Sequence, residues 1–219
     1  MNKIIRNIGA GVAMCLMMVG CTTNFEEYNT NPYQPGKVPA NSLLSTMFKV
    51  YASPQQNDCQ AINCMWACFS GQITAPYDWG KGRNLFAYYN AMEDHNRASW
   101  GTIYGQIYPN FFRIEEATEK KGVIYAMAQL TRIYAMQLMA SLQGPIPYSK
   151  VTSGDIKSLY DDEPTAWRAM FDDLDNVITI LKSAAELGIN QDLATVDQFY
   201  GGDCAKWVKF ANTLKLRMA

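Results

Sequence analysis

Between Gly71 and Arg97 the chain reads GQITAPYDWGKGRNLFAYYNAMEDHNR, a stretch dense in side chains that bind polyhydroxylated ligands. Aromatic faces stack on the apolar side of a sugar ring, while amides, carboxylates and cations bond its hydroxyls. Pro76, Gly80 and Gly82 break any long helix here. Tyr77, Trp79, Phe86, Tyr88 and Tyr89 crowd beside Asp78, Lys81, Arg83 and Asn84. The candidate ligand contacts are Tyr77, Trp79, Asn84, Tyr88 and Tyr89. The competing reading is that the same aromatics plug a loop onto a helical core.

Reactive chemistry is poorly represented. The single histidine, His95, lies in a polar loop, and no GxSxG, HExxH, P-loop or Rossmann pattern occurs. A glycosidase carboxylate pair has no sequence signature, so motif search is silent on it. The expectation is a protein that is not an enzyme and has no cofactor. Asp172, Asp173 and Asp175 are expected to form a solvated helix face rather than a metal site.

Covalent chemistry is expected at Cys21. Lys3 and Arg6 precede an apolar run, Ile8 to Val19, which is signal-peptide length and short of the ~20 residues that span a bilayer. The run stops at Met18-Val19-Gly20-Cys21. A small residue directly before a cysteine resembles the bacterial lipobox, in which the thiol is acylated and the preceding peptide removed. The alternatives are an ordinary signal peptide with an incidental cysteine, or a very short anchor helix. The expected division is a signal peptide over 1–20, a tether over 21–41 anchored by lipid at Cys21, and a folded domain over 42–219. Four further cysteines follow in an oxidising compartment: Cys59, Cys64, Cys68 and Cys204. Their spacing fits no zinc signature. Cys64 and Cys68 are expected to be buried free thiols, and a Cys59–Cys204 bridge is left open. A net charge of −1 argues against a large basic surface for nucleic acid.

The elements positioning these residues are helices. Ser42 to Ala52 has an N-cap at Asn41-Ser42, and a second helix is expected near Asp58 to Gln72. A long one, Ala98 to Lys120, places Trp100, Ile103, Tyr104, Ile107, Phe111 and Ile114 on one face, kinked at Pro109. Gly122 breaks the chain. Val123 to Gln143 follows, with Ile124, Met127, Ala128, Thr131, Tyr134, Ala135, Leu138 and Leu142 on one face, ending at Gly144-Pro145. After a loop, Glu163-Pro164 opens a helix lined by Trp167, Met170, Phe171, Leu174, Val177, Ile178 and Leu181. A polar loop, Gly188 to Gly202, precedes a last helix from Ala205 with Trp207, Phe210, Leu214 and Leu216. Repeated helix hairpins give an all-α, TPR-like array with the aromatic stretch as a loop insertion, although the 34-residue TPR pattern is not kept.

At this point the chain resembles the SusD/RagB family over nearly its whole length. The resemblance rests on the lipobox at Cys21, Tyr28-Asn29-Thr30-Asn31-Pro32, Trp100 through Tyr104, Leu142 through Pro147, Asp172-Asp173-Leu174, and Lys206 through Arg217. The last block is the most specific. Gln143-Gly144-Pro145 departs from relatives that carry an aromatic and an aspartate around the glycine. Family members are longer, and their counterpart of Trp207 to Arg217 is interior, so the resemblance implies an N-terminal, incomplete SusD-like fold. It further implies an outer-membrane, surface-facing lipoprotein. Such a protein captures oligosaccharide and passes it to a SusC-like TonB-dependent transporter, with no nucleic-acid partner. The alternative is a TPR-like scaffold lipoprotein binding peptides without a glycan role.

Overall fold

Apolar residues recur at helical spacing through most of 103–218, and the chain forms helices there. The computed structural model describes residues 38–52, 67–73, 97, 100–101, 103–154 and 157–219. Helix α1 spans Ala40–Ala52; a single helical turn, Ala67–Phe69, is all that is described of the expected second helix. A π-helical segment, Ile103–Ile107, runs directly into α2, Tyr108–Thr118. Then come α3, Gly122–Gln143, α4, Glu163–Leu187, and α5, Cys204–Met218. All five helices belong to one unit, Pro39–Ala219. Among the described residues there is no strand, only an isolated antiparallel bridge between Ile146 and Asp161. No helix among them is long and apolar enough to cross a membrane. The all-helical expectation therefore stands.

Boundaries follow local chemistry. The start of α1 lies at Ala40, two residues before the expected position, because Pro39 supplies the carbonyl to which Ser42 N–H donates at 3.0 Å. Pro109 does not kink an existing α-helix. It sits in the first turn of α2, preceded by the π segment. Proline lacks the N–H that would bond four residues back, and its ring crowds that carbonyl, so the wider π turn relieves both problems. The α2–α3 turn places Glu119 and Lys120 in left-handed conformations. Gly122 then opens α3 at φ +81°, where an added Cβ would collide with the Gln191 carboxamide. That carboxamide accepts from Val123 N–H at 2.7 Å. Gly144 ends α3 at φ 76°, ψ −119°. Asp162 and Asp203 cap α4 and α5 by accepting from Thr165 N–H and Lys206 N–H, each at 3.1 Å.

Helix α3 is the centre. It packs against α1, α2, α4 and α5. The expected one-sided burial is corrected: Val123, Leu130, Ile133, Met136 and Met139 are buried with the predicted face, while Tyr134, Leu138 and Leu142 are half-buried. A helix enclosed by four neighbours has no solvent face to show. On α4, Met170, Leu174, Val177, Ile178 and Leu181 are buried as expected, but Trp167 and Phe171 are half-buried. On α5, Trp207 and Leu214 are buried with Ala211, whereas Phe210 is half-buried and Leu216 is 79% exposed. Cys204 is a buried free thiol, which removes the Cys59–Cys204 bridge, and Cys68 is free and half-buried rather than buried. Cys21, Cys59, Cys64, His95 and the 1–37 segment lie outside the described residues.

Candidate functional site

None of Tyr77, Trp79, Asn84, Tyr88 and Tyr89 falls within the described residues, and neither does Cys21. The concavities of the described residues include a broad polar groove, lined from α3 by Tyr125, Gln129 and Arg132, and a small aromatic cleft, lined from α3 by Leu130, Thr131 and Tyr134.

The groove, about 1200 Å³, is walled by α2, by the chain after α3 and by α4. Its floor is built around Arg132 of α3. The Arg132 guanidinium lies between the rings of Phe111 and Tyr148, each 4.4 Å from it, with Tyr108 at 5.7 Å. Arg132 Nη2 donates to Asp173 Oδ2 at 2.7 Å and to Tyr148 Oη at 3.1 Å, and the Tyr148 hydroxyl donates to the same Asp173 oxygen at 2.7 Å. Asp173 is thus held from inside the fold, unlike the solvated acid the sequence suggested; Asp172 is exposed, and Asp175 pairs with Lys215. Burial raises the Tyr148 hydroxyl well above the usual phenol range and pushes Tyr108 up to about 12, so both stay protonated at neutral pH.

Tyr148 reaches that position because the chain after α3 is pinned. Asp161 accepts from Tyr148 N–H at 3.1 Å, Ser149 N–H at 2.6 Å and the Ser149 hydroxyl at 2.7 Å, with Lys150 Nζ at 3.6 Å. Burial alone would raise this carboxyl; those donors outweigh it and hold it below the usual carboxylate range. Tyr104 Oη donates to Pro147 O at 2.8 Å, fastening the other flank. Three buried polar atoms have no hydrogen-bond partner among the described residues: Gln129 Oε1, Arg132 Nε and Tyr108 Oη.

The cleft, about 200 Å³, lies between α1, α3, the 188–202 loop and α5. Trp207 stacks on Phe48 at 5.9 Å and meets Phe199, Tyr200 and Phe210 edge-on. Asp197, 5% exposed, accepts from Trp207 Nε1 at 2.7 Å, Gly202 N–H at 2.8 Å, Phe199 N–H at 2.9 Å and Tyr200 N–H at 3.1 Å. Burial would raise the Asp197 carboxyl, and these four donors bring it below the ordinary range. The sequence reading took 188–202 as a plain polar loop. The available signal was Asp197 two and three residues before Phe199-Tyr200, with glycines after them, a side chain placed to bond backbone ahead of it.

A third feature is an aromatic ladder. Trp100, Tyr104 and Tyr108 stack at 5.0 Å intervals, with interplanar angles of 17° and 5°, and Phe112 follows at 5.6 Å. A π turn holds more than four residues, so rings four apart come nearly over one another. The ladder ends at half-buried Trp100 beside Tyr160, which is 59% exposed. Among the described residues no group of acidic, cysteine or histidine side chains could hold a metal ion.

This all-helical arrangement is that of the SusD-like proteins. The family model described as SusD-like, "Susd and RagB outer membrane lipoprotein", matches residues 22–219, and the chain belongs to that family. A SusD-like protein from Bacteroides thetaiotaomicron is 71% identical, with a TM-score of 0.76 over 82% of this chain and 37% of that one. A SusD homologue from Bacteroides ovatus is 33% identical, with a TM-score of 0.69 over 82% and 36%. A chitin-binding SusD homologue from Flavobacterium johnsoniae is 26% identical, with a TM-score of 0.72 over 82% and 38%. The chain thus spans little more than a third of the length of these solved relatives. A comparison with curated proteins gives no match.

Proposed function

We propose that this protein is a non-catalytic lipoprotein of the outer membrane that captures oligosaccharide and delivers it to a SusC-like TonB-dependent transporter. In this reading residues 1–20 are a signal peptide, Cys21 carries the lipid, 21–41 is the tether and 42–219 is the helical domain. The observation that carries it is the family match, which begins at residue 22, immediately after Cys21. The chitin-binding relative supports a glycan as ligand. Tyr77, Trp79, Asn84, Tyr88 and Tyr89 are the proposed contacts. The exposed end of the aromatic ladder, Trp100 and Tyr160, adds two rings of the kind that stack on sugars.

The test is thermal unfolding of the full chain with a panel of plant, host and chitin-derived oligosaccharides. A ligand that binds the native state raises the midpoint by linkage. One glycan class is expected to raise it, and Trp79→Ala to abolish the shift without lowering the unliganded midpoint. A panel without effect, or a shift that survives Trp79→Ala and Tyr77→Ala together, removes this reading of the site.

A further inference from the structure

The exposed end of the aromatic ladder is held from behind. Tyr160 is 59% exposed and Trp100 half-buried, yet their rings sit 6.0 Å apart, tilted at 47°. An exposed ring on irregular chain loses rotamer and backbone freedom when it is fixed, so a contact other than burial must fix it. A closed circuit of contacts does so.

One arm of the circuit runs through Tyr104. Its ring stacks on Trp100 at 5.0 Å and its hydroxyl donates to Pro147 O at 2.8 Å, which ties the ladder to the chain leaving α3. The other arm runs through Asp161. The peptide joining Tyr160 to Asp161 donates its N–H to Ile146 O at 3.0 Å. The Asp161 side chain is fully buried, and its carboxylate accepts from Tyr148 N–H at 3.1 Å, Ser149 N–H at 2.6 Å and the Ser149 hydroxyl at 2.7 Å. Residues 146–149 are thus gripped by Tyr104 on one flank and by Asp161 on the other, and Tyr160 is one peptide from that grip. Beyond it, Asp162 fixes the chain by capping α4. Hydrogen bonds to a carboxylate are about twice as strong as neutral ones, which makes Asp161 the strongest link of the circuit. A carboxamide in its place keeps one acceptor oxygen but brings an uncharged donor where Ser149 Oγ and Lys150 Nζ now meet a carboxylate oxygen.

We propose that Asp161 is a positioning residue, which sets the spacing and tilt of the Trp100–Tyr160 ring pair. It acts through the backbone of Tyr160 and touches no ligand. The purpose of the pair, stacking on sugar, rests on the glycan reading above; the positioning rests only on the circuit.

The test labels the full chain with fluorotryptophan and reads it by fluorine NMR. The Trp100 and Trp207 signals are assigned by their loss in Trp100→Phe and Trp207→Phe. Asp161→Asn is expected to move the Trp100 signal by more than its linewidth and to leave the signal of Trp207, in the aromatic cleft, where it is. In a Tyr160→Leu background the same substitution should no longer move Trp100, because the effect travels through Tyr160. Ser149→Ala removes only the hydroxyl donor to Asp161 and should move Trp100 the same way by less; it decides the matter if Asp161→Asn does not fold. A Trp100 signal that stays in place overturns the proposal, as does one that moves equally without Tyr160. A Trp207 signal that moves with it shows general loosening of the fold and overturns the proposal too. Plant, host and chitin-derived oligosaccharides are then titrated into both proteins. For each one that the unsubstituted chain binds, Asp161→Asn should weaken binding about fivefold, the worth of one stacked ring. Unchanged affinity beside a moved Trp100 signal overturns the use of the pair in binding. If no oligosaccharide binds, the glycan reading falls while the fluorine result still decides the positioning, so the two fail separately.

Discussion

Two buried polar knots hold this molecule, and they are finished to different degrees. Around Asp197, four N–H donors meet two carboxylate oxygens, and aromatic rings close over them. Around Arg132, one ion pair and two rings are in place, but Nε and the neighbouring Gln129 Oε1 are left over beside a large opening. Both knots bury charge, one at α3 and the other between the 188–202 loop and α5, so burial alone does not separate them; satisfaction does. A network with every partner present specifies structure, whereas one with partners missing gives up part of that stability.

The largest expected effect lies in the closed knot. Trp207→Ala removes the ring shared by Phe48, Phe199, Tyr200 and Phe210 and strips Asp197 of a donor, and should cost about 4 kcal/mol in urea unfolding. Arg132→Leu should cost about 2–3 kcal/mol, at the low end for a buried pair because Asp173 is 36% exposed and water screens it. If Arg132→Leu proves the worse of the two, the ranking of the knots is reversed. Gly202→Ala should cost about 2 kcal/mol. Its φ is +83°, and a Cβ would meet the Ala194 backbone at 2.7 Å, which moves the loop carrying Asp197.

How much of this was legible beforehand depends on what signals each feature. The helices announced themselves through periodic apolar residues and through terminators such as Gly144. The closed knot was hidden because Asp197 reads as one more polar loop residue until Trp207, ten positions on, is brought to it. The open knot was hidden for a different reason. Arg132 and Gln129 sit on what the periodicity marks as the polar side of α3, and only the wrapping of four helices buries that side. Leu216 misled in the opposite sense, since an apolar residue on α5 was taken as core and is exposed. Of the proposed glycan contacts, Tyr77, Trp79, Asn84, Tyr88 and Tyr89, none lies within the described residues. That reading rests on composition and family.

Acid should discriminate the carboxylates. Asp161 and Asp197 both have pKa values below the ordinary one in the folded state. Their contribution is therefore fully present above about pH 4, the unfolded value, and is lost as pH falls through the depressed folded values. The urea midpoint is expected to be flat with respect to these two groups from pH 7 to about 5 and to fall below about 4. Asp197→Ala should lower stability at pH 7 and flatten the acid slope. A slope unchanged by that substitution assigns the acid sensitivity to other groups.

The smallest expected change carries the sharpest meaning. Urea unfolding of the full chain with Gln129→Leu, at neutral pH and without ligand, tests whether the groove floor is unfinished. An orphan acceptor replaced by an apolar side chain of similar size should leave the unfolding free energy unchanged or raise it by up to about 1 kcal/mol. A loss of more than about 1 kcal/mol would show that Gln129 Oε1 is satisfied within the free protein, and the contrast between a closed knot and an open one would collapse.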